Sequence, residues 1–389
     1  MKQLFFAAIS GWMMLTGVSC AKLKPVFDPD AFERNIVAGV NANNTRPVGW
    51  SYIITRNGTI FRSDTFGRAR LPADGALPFS LDKKINIASV SKFYTAIGAM
   101  QLLNANGLTI NSPIGPWLPS TWAQGPWVSS LSFRDLLTHT SGLTSVNTNM
   151  DSTVGYEGLR SCIATGATSP FPPGSVVAQT RPFQYLNVNY ALFRVLIPSL
   201  WRGQPGSPFI DINDDQLTQT RYLQYMQQFV FDPINMPNIN CSPEPRGIAT
   251  LYYNITDSAQ NRRGDFLGDW THIAGGGGYY MTPREMARGA AFFEETQILL
   301  PNSVKQIMKQ NRIGFVPRIA ALETRGDYFA HDGGITNDSI NNRGLQTVIC
   351  IFPNGFQCSI TMNTRGVTYP DNQTIIRMVY SAYNNAWLN

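Results

Sequence analysis

The sequence predicts an α+β fold in which one sheet is built from both ends of the chain and a mainly helical region is inserted between them. Strand signals lie near both ends, from Gly49 to Phe61 and again from Gln346 to Met362. The stretch 96–265 reads instead as helices and loops. At 389 residues, 43% of them hydrophobic, the chain can bury one large core or two modest ones. The parts are therefore an α/β portion over 21–95 and 266–389 and a helical insertion over 96–265.

The elements follow in order. Met1-Lys2 and the apolar run from Leu4 to Val18 read as a signal peptide over 1–20, which implies export to a periplasmic or extracellular setting. That run is short for a membrane span, and no later stretch is long enough to be one. Ser19-Cys20 resembles the end of a bacterial lipoprotein signal, although Gly17 stands where an aliphatic residue is usual; a lipid anchor at Cys20 is the alternative to release. A helical stretch near Asp30–Val40 precedes a hairpin that turns at Asn57-Gly58. The alternating Ile85-Asn86-Ile87-Ala88 reads as a strand, and a helix opens directly after it at Ser89 and stops at Asn106-Gly107. Asp211-Ile212-Asn213-Asp214-Asp215 begins like a calcium loop but has Gln216 where glycine is needed, so it caps the next helix. Thr282-Pro283-Arg284-Glu285 is a helix start, a capping box with proline at the first helical position. Two strands, Gln346–Phe352 and Phe356–Met362, flank Pro353-Asn354-Gly355, and a last helix runs from Asp371, its N-cap, to Trp387.

Composition narrows the function. The net charge of +6 comes from scattered basic residues, without the clusters that nucleic acid or an anionic membrane surface requires. Beyond Cys20 there remain Cys162, Cys241, Cys350 and Cys358, enough for two disulfides in an oxidising compartment. Cys350 and Cys358 lie opposite one another if the hairpin loop has three residues, and diagonally if Asn-Gly forms a two-residue turn. Cys162–Cys241 is then the second pair, and buried thiols are the alternative. The histidines, His139, His272 and His331, share no metal-ligand spacing, so neither metal nor cofactor is expected. His139 reads as a structural hydrogen-bonding residue in a tight turn. Gly275–Gly278 lacks the strand–turn–helix setting of a phosphate loop and reads as close packing. No Gly-x-Ser-x-Gly elbow occurs, which argues against an α/β-hydrolase.

The chemistry lies in Ser89-Val90-Ser91-Lys92. Residues three apart share a helix face, so the Ser89 hydroxyl and the Lys92 amine can meet as nucleophile and base. A helix N-terminus also favours developing negative charge. Ser80-Leu81-Asp82-Lys83 fits the same pattern but leads into the strand rather than the helix. Tyr185-Leu186-Asn187 supplies a second proton handler, because a neighbouring cation favours loss of a phenol's proton, and an amide that can orient lysine and substrate. Tyr252-Tyr253-Asn254 and Tyr383-Asn384-Asn385 match as well. Tyr185 differs in its setting, after Pro172-Pro173-Gly174 and before the apolar run from Tyr190 to Leu196.

Taken in order, these motifs resemble the serine hydrolase superfamily of class C β-lactamases, D-alanyl-D-alanine carboxypeptidases and related esterases and D-aminopeptidases. The resemblance includes Ile87-Ala88-Ser89-Val90-Ser91-Lys92, Leu136-Leu137-Thr138-His139-Thr140-Ser141-Gly142-Leu143, Tyr185-x-Asn187-x-Asn189-Tyr190, Phe231-Asp232-Pro233-Ile234-Asn235-Met236 and Gly275–Gly278 with Tyr280-Met281-Thr282-Pro283-Arg284-Glu285-Met286. It implies a β-lactamase/transpeptidase-like fold, an antiparallel sheet flanked by helices with an inserted helical domain. It implies Ser89 as acylated nucleophile, Lys92 as base, Tyr185 as proton partner and Asn187 as orienter, with Lys92 and Tyr185 both open as the acylation base. The family's third motif, usually Lys-Thr-Gly or His-x-Gly, falls on His331-Asp332-Gly333, and the N–H groups of Ser89 and Gly334 would form the oxyanion hole. A neutral His331 in place of lysine, with Asp332 beside it, weakens the case for anionic substrates. The expected function is an exported hydrolase of a small-molecule or peptide ester or amide, with a penicillin-binding protein, carboxypeptidase or β-lactamase as the alternative. A catalytically silent binding or sensor module on this scaffold would be expected to lack Ser89, Lys92 or Tyr185, and all three are present. Oligomeric state is left open.

Overall fold

In the computed structural model, which describes residues 25–42, 46–143, 155–171, 179–336 and 342–388, both ends of the chain meet in one antiparallel ladder. Its successive strands are Phe329–Thr336, Gly344–Ile351, Phe356–Met362, Gly49–Arg56 and Thr59–Arg70. The expected signal segment, Cys20 and Pro172-Pro173-Gly174 lie outside the described residues. Each ladder contact joins a hairpin or the two termini. The Asn57-Gly58 turn works because Asn57 has φ +48° and Gly58 has φ +79°, the left-handed pair that a tight hairpin requires.

Alternation along the strands builds two layers. Val348 and Cys350 face a cluster with Phe32 and Ile36 of the Pro29–Val40 helix and Val379 and Tyr383 of the Ile375–Asn384 helix. Ile349 and Ile351 face the opposite way, into a larger cluster around the Ser91–Ala105 helix. That helix is buried along nearly its whole length, which explains its unbroken apolar run. Each fully buried large apolar side chain in it, such as Phe93, contributes about 1.5–3 kcal/mol.

The sheet has one edge that matters for chemistry. Phe329–Thr336 pairs with Gly344–Ile351 on one side only. Ala330 turns its carbonyl to the other side, where it accepts from Val316 N–H at 2.8 Å. Strand backbones alternate with a period of two, so Asp332 and Gly334 turn their peptide groups to that open edge as well.

Several sequence expectations are corrected. The α-helix begins at Ser91, and Ser89 sits before it in a 3-10 turn, Ala88–Val90. The last helix starts at Ile375, not Asp371: Asp371 has φ +55°, and the Thr374 side chain caps by accepting from Arg377 N–H. Tyr253–Asn254, placed within the helical insertion, pairs into the sheet at Gly344 and Thr364. No disulfide joins Cys162, Cys241, Cys350 and Cys358, all of which are buried thiols. The hairpin loop does have three residues and Cys350 stands opposite Cys358. Burial also pushes the thiols of Cys241, Cys350 and Cys358 well up. By contrast, the Thr282 capping box and the Asp214 cap are present as expected.

Candidate active site

The turn carrying Ser89 is held from three sides. Ile87 N–H donates to Tyr279 O at 2.9 Å, Thr347 Oγ1 donates to Ile87 O at 2.9 Å, and Ala88 N–H donates to Asn86 Oδ1 at 2.8 Å. These contacts keep Ala88 at φ +48°, a left-handed conformation that costs an L-residue about 1–2 kcal/mol. The strained residue directly precedes Ser89 and swings it out of the strand.

Lys92, on the first turn of the helix, is 0% exposed. Its Nζ donates to Ser89 Oγ at 3.1 Å, to Asn187 Oδ1 at 2.9 Å, and to the carbonyl of Gly276. The rings of Tyr185 and Tyr190 stand 5.0 and 5.9 Å away. Burial lowers the amine to about 7, and the Asp332 charge opposes that fall.

Tyr185 comes from the residues just before the Asn187–Ala191 helix. Its side chain is 43% exposed, and its hydroxyl lies close enough to Ser89 to feel it. Burial raises the phenol, more than Ser89 lowers it, so it holds its proton. The ring stacks on His139 with centroids 4.4 Å apart. His139, at φ +57°, accepts from Gln184 N–H on its carbonyl at 2.8 Å and from Leu186 N–H on Nδ1 at 3.2 Å. The Asn189 amide lies 3.2 Å from the same nitrogen, and Ser141 Oγ donates to Asn189 Oδ1 at 2.6 Å. Both groups at Nδ1 are donors, so the imidazole carries its proton on Nε2. Burial, with Lys92 and His331 nearby, keeps it neutral. The expected turn histidine is thus the platform on which Tyr185 rests.

The open edge strand supplies the remaining wall. A Cβ at Gly333 would lie 2.5 Å from both Ile87 O and Thr347 Oγ1, so only glycine lets this strand approach the Ser89 turn. A Cβ at Gly334 would lie 3.0 Å from an Arg365 guanidinium nitrogen. His331 Nδ1 is 2.7 Å from Asp332 O, an acceptor only, so Nδ1 bears the proton. Burial and the Lys92 charge lower His331 to about 3, leaving it neutral. Asp332 is raised by burial and lowered by Arg365 and Lys92.

Ser89, Lys92, Tyr185 and Asn187 therefore come together, with His331, Gly333 and Gly334 on the facing strand. Three further residues take part. Gly276 offers a carbonyl to Lys92 instead of mere close packing. The charge of Asp332 reaches Lys92 and holds its amine up. Arg365 had no motif to announce it. Among the described residues, no three histidine, cysteine or carboxylate side chains form a group able to hold a metal.

An antiparallel sheet whose edge strand faces the head of a buried Ser-x-x-Lys helix is the architecture of serine hydrolases related to β-lactamases and penicillin-binding proteins. The sequence matches the Beta-lactamase family over residues 32–353, and the chain belongs to that family. Among solved structures, FmtA from Staphylococcus aureus is similar at 17% identity and a TM-score of 0.65, covering 94% of this chain and 93% of that one. A class C β-lactamase from Rhodobacter sphaeroides is 14% identical with a TM-score of 0.62, covering 91% and 98%. EstCE1, a hydrolase with promiscuous acyltransferase activity, is 13% identical with a TM-score of 0.62, also covering 91% and 98%. At such identities the likeness is one of fold. No curated protein matches the sequence.

Proposed function

We propose that this chain is an exported serine hydrolase that cleaves uncharged esters or amides through an acyl-enzyme on Ser89. One observation carries the reading: a fully buried amine, lowered to about 7, stands 3.1 Å from a serine hydroxyl. Such an amine is largely neutral just above neutral pH and can accept the serine proton. Tyr185, held protonated, suits the role of donor and relay, so Lys92 is the acylation base. The 1–20 segment supports export by its charge and apolar run.

Ser89 Oγ bonds to the carbonyl carbon while its proton passes to Lys92 Nζ. The carbonyl electron pair moves onto oxygen, where the N–H groups of Ser89 and Gly334 receive the charge. Collapse of this adduct breaks the bond to the leaving group, which takes a proton from Lys92 through Tyr185. Water then attacks the acyl-enzyme, releasing the acid and returning the proton to Ser89. Substrate charge follows from the third motif. A neutral His331 offers no cation to a carboxylate, and Asp332 adds negative charge nearby.

Intact-mass spectrometry after fluorophosphonate treatment tests this. A single adduct on wild type and none on Ser89→Ala is expected, with no stable penicillin adduct. No adduct on wild type overturns the hydrolase reading. A lasting penicillin adduct moves the assignment to a penicillin-binding protein.

A further inference from the structure

The Lys92 amine is fixed by more than its own three bonds. Gly276, whose carbonyl accepts from it, belongs to a segment attached to the same helix at three points. Ser91 Oγ accepts from Tyr279 N–H at 3.1 Å, Lys92 Nζ donates to Gly276 O, and Thr95 Oγ1 donates to Gly275 O at 2.9 Å. Thr95 is in turn 2.9 Å from the Tyr222 hydroxyl, and the Tyr279 hydroxyl donates to Tyr222 at 2.9 Å. All three hydroxyl-bearing residues are 0% exposed.

Each hydroxyl has one proton, so the donors run one way, from Tyr279 to Tyr222 to Thr95, whose proton faces two carbonyls, Gly275 at 2.9 Å and Ser91 at 3.2 Å, and favours the nearer Gly275. Burial raises both phenols far above neutrality, so the chain keeps its direction through the working pH range. Gly275 itself is locked: it has φ +95°, and a Cβ there would lie 2.7 Å from Tyr190 O. Gly275 and Gly276 are adjacent peptides presenting their carbonyls to residues 95 and 92, one helical turn apart. Holding the first carbonyl therefore sets the direction of the second.

We infer that the Thr95–Tyr222–Tyr279 hydroxyl chain positions Lys92, by holding the Gly276 carbonyl on its amine. Thr95 and Tyr222 touch no reacting atom and are positioning residues. The inference rests on the Ser89–Lys92 reading above. The other groups facing Nζ are Ser89, Asn187, the rings of Tyr185 and Tyr190, the neutral His139 and His331, and the carboxylate of Asp332. The chain changes none of these, so its effect is read as that of one carbonyl. An acceptor on N–H favours the ammonium form, and loosening it makes the amine give up its proton at lower pH.

The test is the rate of fluorophosphonate labelling of Ser89 against pH, on the full chain, for wild type, Thr95→Val, Thr95→Ser and Tyr222→Phe. Thr95→Val is expected to move the acidic limb down by about 0.5 pH unit, roughly a threefold change in the neutral fraction. The plateau rate should fall about tenfold as orientation is lost. Thr95→Ser, which keeps the hydroxyl, should restore both, and Tyr222→Phe should move the limb the same way by less. Thermal unfolding of each variant separates this from a loss of folded protein. If Thr95→Val does not fold, Tyr222→Phe decides. An acidic limb that stays in place or moves up in the folded variants overturns this inference and leaves the proposed hydrolase intact. Failure of wild type to label overturns both.

Discussion

Replacing Lys92 by methionine tests whether the buried amine is neutral, without any substrate. A lysine amine ordinarily near 10.5 stands at about 7 here. At about 1.4 kcal/mol per pH unit, the difference corresponds to roughly 5 kcal/mol of opposition to folding while the solution holds the group charged. Methionine removes that opposition but leaves Asn187 Oδ1 and the Gly276 carbonyl without a donor, at about 1–3 kcal/mol each, so the net change at one pH is not diagnostic. The pH dependence is. Between about 7 and 10.5 the unfolded wild type holds a proton on Lys92 that the folded protein has released. Stability of the wild type therefore rises with pH through this window relative to the variant, and below it the two run parallel. Equilibrium urea unfolding should show the wild type gaining on Lys92→Met by roughly 3 kcal/mol between pH 7 and 9.5. Titrating groups that do not feel the Lys92 charge cancel in the difference. Parallel curves across the window would mean that the folded protein carries an ammonium there, and Lys92 could not be the base.

Three further outcomes are expected. Asp332→Asn removes the charge that holds Lys92 up, so the acidic limb of Ser89 labelling should move down, on the order of 0.5 pH unit, when followed with a fluorophosphonate. His139→Ala removes the ring beneath Tyr185 and the acceptor of Leu186 N–H; labelling should slow about tenfold to a hundredfold, and unfolding free energy should fall by about 1–3 kcal/mol. Gly275→Ala forces a side chain into a left-handed site against Tyr190 O, and thermal unfolding should register a loss of about 2 kcal/mol or more.

The fold was legible where local signals and long-range pairing agree. The Asn57-Gly58 turn, the Thr282 capping box and the Pro353-Asn354-Gly355 loop each fix their geometry within a few residues. Boundaries failed where a distant partner decides. Tyr253–Asn254 is a strand only because Gly344 and Thr364 lie beside it, and no local periodicity shows two residues of sheet. Asp371 looked like a helix cap by residue type, but Thr374 lies one residue before the helix and takes the role.

The site divides along the same line. Ser89 and Lys92 are neighbours in sequence, and Tyr185 and Asn187 form a short motif, so the residues themselves could be named. Which of Lys92 and Tyr185 takes the serine proton could not, because that depends on environment. Burial acts on both but in opposite senses: it strips the ammonium of its proton and makes the phenol keep its own. The environment is assembled from Asn187 and Tyr190 of one short helix, Gly276 and Asp332, which come from three separate stretches of chain. The placement of Ser89 has a similar dependence. Ser89 was expected to draw anion support from heading a helix, yet the helix begins two residues later. Its geometry comes from the left-handed Ala88, held in place by bonds from Asn86, Tyr279 and Thr347. In the proposed mechanism anion support then falls to the open edge of a strand whose two glycines let it lie against that turn. A serine and a lysine three apart are common in sequences; what sets this pair apart, and what the proposed chemistry rests on, is a strained turn, a buried amine and a bare strand edge brought to one place.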